Sequence, residues 1–453
     1  MKWKNFTYAN IQKIFRLKPA QIIILSFLIM ILIGTFLLML PFSTANNQGL
    51  QFIDALFVST SASCVAGLTV VDVHNDLTFF GQIVMLILIQ IGGLGMMTLA
   101  TLIVHMRGYR FQLNESLVLQ ESLNQNTQAG IFELIRCIIK YTFVIEGFFA
   151  VILAIHFYKE FGINAVGYGI FHSVSIFCNA GFDLFGNYES LCRRSDDYFL
   201  MVCLAALVIL GGIGFTVIAD FVNRRSWKKF SLHTKIVTVV NIVMIVVGTI
   251  LIFAAEKYNE NTIGNLELGD QLAQSCFTSI ACRTAGLNTF DLEQAEQLTK
   301  LNMIILMFIG ASPLSTGGGI KTTTIFIILM SMWAVFRGRN EIVIFGRRIT
   351  RELRDQALAI FTMGTIWVIT AAIILSALDG ERHDLEDVLF ETVSGFSTVG
   401  MGIGITPDWD IGGKLILSLT MLVGRVGIMT FMVSFIAQKN TIIKYPAENI
   451  MLG

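Results

Sequence analysis

Apolar residues in this chain come in long blocks instead of alternating with polar ones. Predominantly apolar stretches lie near 20–42, 79–104, 131–157, 198–222, 234–255, 299–335, 355–378 and 413–437. A helix needs about 20 such residues to cross roughly 30 Å of hydrocarbon, so the pattern predicts eight transmembrane helices. Between spans 1 and 2, 3 and 4, 5 and 6, and 7 and 8 lie less apolar stretches of about a dozen residues, too short to cross and suited to re-entrant segments. The basic opening MKWKNFTYANIQKIFRLKPAQ runs into the first span without a small-residue cleavage site, and reads as the approach to a transmembrane helix, not a removed signal.

The four short stretches repeat one another. FVSTSASCVAGL, FHSVSIFCNAGF, CFTSIACRTAGL and FETVSGFSTVGM align without a gap on Gly67, Gly181, Gly286 and Gly400. A Ser or Thr stands eight residues before each glycine (Ser59, Ser173, Thr278, Thr392), and Phe57, Phe171 and Phe390 stand ten before three of them. The glycines are 114, 105 and 114 residues apart, and the long helix that follows brings another glycine 25, 30, 24 and 24 residues later (Gly92, Gly211, Gly310, Gly424). Such self-similarity marks a repeated unit. The expected fold is an all-α polytopic membrane protein of four helix, short helix, glycine turn, helix repeats around a central pore. The repeats span 19–104, 131–222, 232–335 and 352–438, with tails at 1–18 and 439–453.

Charge sets the orientation. With the N-terminus in the cytosol, segments 1–19, 105–130, 223–235, 336–354 and 438–453 carry 20 Lys and Arg, against 7 on the opposite side. The positive-inside rule then puts both termini in the cytosol and all four short stretches on the outer side. Every unit has the same orientation, which suits a pore on an axis along the membrane normal. Inverted repeats would instead point to an alternating-access carrier.

A dehydrated alkali cation needs fixed oxygen ligands, and backbone carbonyls supply them when a turn aims successive C=O groups at one axis. Glycine allows this because it reaches positive φ without penalty and lets strands approach closely. A short helix before each turn would aim its C-terminal partial negative charge the same way. One A-G-L is ordinarily a helix-ending turn; four in register are not.

The repeats with AGL, NAGF, RTAGL and TVGMG, the STGGGIKTTT segment and GRVGIMTF in the last span together resemble the Ktr/Trk/HKT superfamily of potassium transporters, over nearly the whole chain. With no pair of helices ahead of the first repeat, the resemblance is nearest to the membrane subunit of the Ktr branch. It implies a selectivity filter made by Val65, Ala66, Gly67, Asn179, Ala180, Gly181, Thr284, Ala285, Gly286, Thr398, Val399 and Gly400, with K⁺ held at the four glycines. Members with serine at the first glycine tend to lose K⁺ over Na⁺ preference, so Gly67 implies a potassium path. The resemblance further implies a multi-pass bacterial plasma-membrane protein that takes up K⁺, with Na⁺ as a candidate activator. It implies a homodimer in the lipid bilayer, governed by a cytosolic ring of nucleotide-binding RCK-type subunits that bind ATP, ADP or a dinucleotide in place of this chain. No cofactor is expected on the chain itself, and no catalytic residue.

GASPLSTGGGIKTTT, residues 310–324, has the glycines and lysine of a phosphate loop, yet Ile320 separates Gly319 from Lys321, and no strand precedes it. Its span, 299–335, would be about 55 Å long as one helix, far more than a bilayer of about 30 Å requires. Pro313 and Gly317–Gly319 are where it should break. Non-helical backbone at membrane depth is tolerated only in protein or along a water-filled path, so the segment is expected to project below the filter. The resemblance likewise implies a gating loop, of Gly310, Ala311, Ser312, Pro313, Ser315, Thr316, Gly317, Gly318, Gly319 and Lys321.

Arg425 belongs with it. Units 1 and 2 read IGGLG and LGGIG where unit 4 reads VGRVG, so an arginine fills the slot of Gly93 and Gly212. A permanent charge inside a span is costly and is a functional candidate with a partner. Arg425 is expected to bond carbonyls or hydroxyls of 312–316 and to repel cations; the alternative is snorkelling or pairing with an acid. Lys321 either faces the same cavity or reaches toward the cytosolic interface.

Composition adds limits. Of 453 residues 54% are apolar and 14% charged, with a net charge of zero that gives no reason to expect a nucleic-acid partner. Seven cysteines lack C-x-x-C spacing. Cys64, Cys178 and Cys282 lie near the glycine turns, but Arg283 and Ser397 replace the thiol in units 3 and 4, so packing is preferred to a metal site. His172 and Glu391 read as hydrogen-bonded structural groups, and the basic run 337–354 as a solvated loop or a docking segment for a regulatory subunit. The rival readings are a sodium-selective or poorly selective relative, an unrelated secondary carrier, and a membrane ATPase using 310–324.

Overall fold

The computed structural model describes residues 18–95, 131–339, 341–380 and 382–435. Most of the two expected tails, the loop 105–130 and the end of the second span, 96–104, lie outside the described residues. Unit 1 consists of α1 (Pro19–Leu38), the short α2 (Phe52–Cys64) and α3 (Phe79–Leu94). Unit 2 has α4 (Ile131–Phe161), the short α5 (Ala165–Phe177), α6 (Tyr198–Gly212) and α7 (Phe215–Arg224). Unit 3 has α8 (Leu232–Glu256), the short α9 (Leu268–Ala281), α10 (Gln297–Phe308) and α11 (Thr322–Phe336). An antiparallel hairpin of β1 (Ile342–Ile344) and β2 (Arg347–Ile349) precedes unit 4, which has α12 (Arg351–Asp379), the short α13 (Leu385–Ser397), α14 (Ile411–Val426) and α15 (Ile428–Phe435).

Local chemistry starts these helices. Pro19 opens α1, where its missing N–H has no partner to lose. Thr78, Asp197, Ser231 and Thr350 cap α3, α6, α8 and α12 through side-chain oxygens that accept from Gly81, Leu200, Thr234 and Leu353 N–H groups.

Each short helix folds back on the long helix before it. Ser59 Oγ donates to the Ile31 carbonyl (2.8 Å), Ser173 to Glu146 (2.7 Å) and Ser279 to Ile245 (3.0 Å). Glycine makes room: a Cβ on Gly34 would stand 2.3 Å from Ser59 Oγ, and one on Gly248 2.4 Å from Ser279 Oγ. The following long helix then packs by glycine against the end of the short one. A Cβ on Gly92, Gly211 or Gly424 would meet the carbonyl oxygens of Ser63, Phe177 and Phe396 at 2.1, 2.0 and 1.7 Å. All three carbonyls lie four residues before their unit's turn glycine, which explains the glycine recurrence in the sequence.

The solvent sorting is inverted. Ser59, Ser63, Ser173, Thr278 and Thr392 are buried, while Phe36, Phe143, Ile155, Ile250 and Ile373 are more than half exposed. Hydrocarbon, not water, is the solvent that suits this surface.

Among the described residues, length and composition make four stretches able to cross a membrane: Pro19–Leu38, Ile135–Phe177, Leu232–Glu256 and Arg351–Asp379. The count is six if two bent pairs are each one span. The expected spans at 198–222 and 413–437 coincide with these bent pairs. Both break sharply, by 97° between α6 and α7 and by 100° between α14 and α15. The breaks fall at Gly214 (φ 98°) and Gly427 (φ 90°), three residues after Gly211 and Gly424, and Gly95 (φ 82°) repeats the offset in unit 1. Hydropathy continues through each bend, so the pattern of apolar residues cannot reveal it. The expected span 299–335 is two shorter helices, α10 and α11, separated by the unwound residues 309–321.

Candidate functional site

Each short helix ends in the same backbone gesture. Val65, Asn179, Thr284 and Thr398 have φ of 58°, 58°, 69° and 52°, and two residues later Gly67, Gly181, Gly286 and Gly400 have φ of 83°, 72°, 67° and 90°. In units 1, 2 and 4 the first of these ends the helix in a Schellman-type turn. Ala66 N–H bonds Ser61 O (2.8 Å), Ala180 N–H bonds Ser175 O (2.8 Å) and Val399 N–H bonds Ser394 O (2.9 Å). In unit 3 Ala285 N–H reaches Ala281 instead, at 2.9 Å. A left-handed conformation costs an L-residue about 1–2 kcal/mol, so its recurrence at a non-glycine position in four units marks a geometry the fold requires.

The four turns close on one another. A Cβ on Gly67 would stand 2.6 Å from the Ala180 carbonyl oxygen and 2.7 Å from Gly400 Cα. On Gly181 it would stand 3.0 Å from Ala285 O, on Gly286 2.6 Å from Val399 O, and on Gly400 2.7 Å from Ala66 O. Every turn therefore touches the next, in the order 1–2–3–4–1, and each contact involves the carbonyl just before a glycine. The ring has room for hydrogen at these four positions and for nothing larger. It brings all twelve residues expected of a filter into one belt. Carbonyl oxygens so concentrated can replace the hydration shell of a cation.

Directly against this belt lies the unwound segment 309–321. Gly318 N–H donates to Thr398 Oγ1 (2.9 Å), and a Cβ on Gly317 would meet Thr284 Oγ1 at 2.3 Å. Thr316 Oγ1 lies 3.2 Å from Phe177 O and 3.1 Å from Gly211 O, donating to this pair of carbonyls. Ser312 N–H and Thr316 N–H donate to Gly212 O and Gly211 O at 3.1 and 3.2 Å, and Phe215 N–H donates to Leu314 O at 2.9 Å. Ser312 Oγ is reached by the Asn241 amide (3.1 Å) and Thr322 Oγ1 (3.3 Å). Pro313 sits inside the segment and not at a helix end: α10 has already stopped at Phe308, and Leu314, with φ 57°, turns the chain back. Ser315 bonds the Ser312 carbonyl (2.6 Å), Ala311 is fully buried, and Gly310 packs on Gly318. The segment thus touches units 2, 3 and 4.

Arg425 supplies the contact to unit 1. Its guanidinium donates to Thr316 O in the segment and to Gly92 O and Gly93 O of α3, the last at 3.0 Å. Among the described residues no carboxylate pairs with it. Lys321 turns back into the segment, its Nζ donating to Gly317 O (2.6 Å) and Gly318 O (3.3 Å).

A family model described as a cation transport protein, TrkH, matches residues 2–444. The chain belongs to the TrkH family. It is 38% identical over 454 residues to the Ktr system potassium uptake protein B of Bacillus subtilis, covering 100% of this chain and 98% of that one. It is also 38% identical over 444 residues to the potassium/sodium uptake protein NtpJ of Enterococcus hirae, covering 97% and 98% of the two chains. The crystal structure of the potassium transporter TrkH from Vibrio parahaemolyticus shares the fold, with a TM-score of 0.69 and 20% identity over 90% of this chain and 84% of that one.

In this TrkH-family chain the remaining sequence candidates have plain surroundings. Cys64, Cys178 and Cys282 are buried and free; Cys178 Sγ stands 3.8 Å from Glu146 Oε1 and Cys282 Sγ 3.8 Å from Met401 Sδ. Among the described residues no three His, Cys, Asp or Glu side chains could hold a metal ion together. His172 and Glu391 are fully buried and hydrogen-bonded. Sequence reasoning missed the Gly92 and Gly93 carbonyls as partners of Arg425. The repeat offered a signal for them, because Arg425 fills the slot of Gly93.

Proposed function

We propose that this chain is the ion-translocating subunit of a bacterial potassium uptake system: eight spans in four parallel units around one pore, with both termini cytosolic. The supporting observation is the closed ring of Gly67, Gly181, Gly286 and Gly400, each lying against the carbonyl that precedes its neighbour. K⁺ entering from outside exchanges water for these carbonyl oxygens, and the short helices favour the cation with their C-terminal dipoles. Below the ring the segment 310–324 obstructs the path, tied across three units and to Arg425, whose charge opposes long occupancy by a cation. Opening requires the segment to move aside; hydrolysis or covalent chemistry has no part in it. A homodimer and a cytosolic ring of nucleotide-binding subunits complete the system, and the Ktr system names of the relatives support a multi-subunit assembly.

A second reading, uptake of Na⁺ along with K⁺ or uptake that depends on Na⁺, is favoured by the likeness to a potassium/sodium uptake protein. One experiment separates them. A bacterium lacking its own K⁺ uptake, carrying this chain, is grown at low K⁺ and its Rb⁺ and Na⁺ influx compared, with Gly67→Ser alongside. The proposal expects rescue, discrimination for K⁺ and its loss in Gly67→Ser. Rescue without discrimination favours the second reading, and unaltered discrimination in Gly67→Ser overturns the filter assignment.

A further inference from the structure

The four turns share one pattern of positive φ but not what holds them from behind. Nine residues before the turn glycine the units carry Val58, His172, Phe277 and Glu391. Two apolar side chains therefore alternate with two polar ones at one slot of the short helix. The glycine contacts run 67–181, 181–286, 286–400 and 400–67, so units 2 and 4 face each other across the ring. The polar pair is a diagonal pair.

Both polar side chains grip the chain that leaves the turn. Glu391 Oε1 accepts from Thr406 Oγ1 (2.8 Å) and Oε2 from Trp409 Nε1 (3.2 Å). A Cβ on Gly402 would stand 3.4 Å from Oε1, so the strand passes directly along the carboxylate. In unit 2, His172 Nδ1 is 2.8 Å from the Tyr168 carbonyl and so carries the proton, which leaves Nε2 to accept from Leu184 N–H (3.3 Å), three residues past Gly181. In unit 3, where the slot holds Phe277, the neighbouring Thr278 hydroxyl pairs with that of Thr289 at 3.2 Å. In unit 1 the Ser61 and Ser63 hydroxyls make no bond to the described residues.

We infer that Glu391 and His172 are positioning residues that fix the width of the ion path along one diagonal and so set discrimination between K⁺ and the smaller Na⁺. The inference rests on the filter reading above. Carbonyls discriminate by size only if they cannot close in on the smaller ion, and that stiffness must come from bonds behind them. A carboxyl group that accepts from both an indole N–H and a hydroxyl ties the chain at two points, which an apolar side chain at the same slot does not.

The test gives each anchor the residue its alternate units carry: Glu391→Val, as in unit 1, and His172→Phe, as in unit 3. Trp409→Phe and Thr406→Val each remove one bond while keeping the carboxylate, and Glu391→Gln restores an acceptor. Rb⁺ and Na⁺ uptake are measured in proteoliposomes together with the thermal midpoint of the purified protein. The expected result is a drop in the Rb⁺/Na⁺ ratio of about tenfold in Glu391→Val, a smaller drop in His172→Phe, Trp409→Phe and Thr406→Val, and partial recovery in Glu391→Gln, with Rb⁺ uptake retained. Lower thermal midpoints with the wild-type ratio in every variant would mean a purely structural role and would overturn the inference. If Glu391→Val does not insert, Trp409→Phe and Thr406→Val decide it. Gly67→Ser is run in parallel: an unchanged ratio there sinks the filter reading and this inference with it, whereas a change there and none in the anchors sinks the inference alone.

Discussion

The guanidinium of Arg425 and the backbone carbonyl of Thr316 belong to different repeats, yet one donates directly to the other. The same guanidinium reaches Gly92 O and Gly93 O, so a single side chain joins the unwound segment of unit 3 to the far wall in unit 1. Removing it frees one edge of the segment. A hydrogen bond from a charged donor is worth about 1.5–3 kcal/mol, and about 1.4 kcal/mol is a tenfold change in an equilibrium. Arg425→Ala is expected to raise Rb⁺ uptake, without the regulatory subunits, by about an order of magnitude. Uptake at or below the wild-type rate would show that Arg425 does not hold the path closed.

Thr316→Val tests the side chain of the same residue whose carbonyl Arg425 holds. It removes donation to Phe177 O and Gly211 O while keeping the side-chain volume. Neutral bonds are weaker, so basal uptake should rise by about fivefold at about 1 kcal/mol. The double variant with Arg425→Ala should exceed either alone; a double variant no leakier than Arg425→Ala would place both bonds in one indivisible latch.

Glycine packing makes a prediction about folding. Gly424 has Phe396 O only 1.7 Å from where a Cβ would lie, whereas Gly147 has nothing within 4 Å. Gly424→Ala should destabilise by about 1–3 kcal/mol or prevent insertion, since overpacking against backbone has no side chain to yield. Gly147→Ala should leave the thermal midpoint of the purified protein unchanged or slightly raised. A Gly424→Ala protein as stable as Gly147→Ala would contradict this helix packing.

The turn glycines were legible for the same reason: a close approach of backbone leaves few residues to choose from, and four coincidences in register stand out. The residue two places earlier was not legible. Val65 and Thr398 adopt φ of 58° and 52° although neither side chain favours it, because ring closure imposes the conformation and composition does not record it. Arg425 stood out because hydrocarbon makes any charge conspicuous. Its partners stayed hidden, because backbone carbonyls have no letter of their own.

Two ion pairs sit at equivalent places in successive units. Lys414 Nζ meets Asp54 Oδ1 at 2.7 Å, and Lys300 Nζ meets Asp387 Oδ1 at 3.1 Å, each lysine 14 residues after a turn glycine and each aspartate 13 before the next unit's. They fasten unit 4 to unit 1 and unit 3 to unit 4. Both are part-buried, so Lys414→Met should cost about 1–2 kcal/mol, between the values for exposed and buried pairs, and Asp54→Asn added to it should cost little more. Additive losses in thermal unfolding would show that the two side chains act independently.

The right-angle bend at Gly214 makes α7 a crank. At its near end Phe215 N–H holds Leu314 O, and a Cβ on Gly214 would touch Pro313 O at 2.5 Å. Midway along it Asp220 accepts from Thr234 Oγ1 at the start of α8 and pairs with Arg224 at the helix's far end. The helix is therefore pinned at Phe215 to the unwound segment and at Asp220 to the start of α8. One short helix thus links the start of α8 to the unwound segment, and neither can shift against the other without breaking the Phe215 or the Asp220 bond.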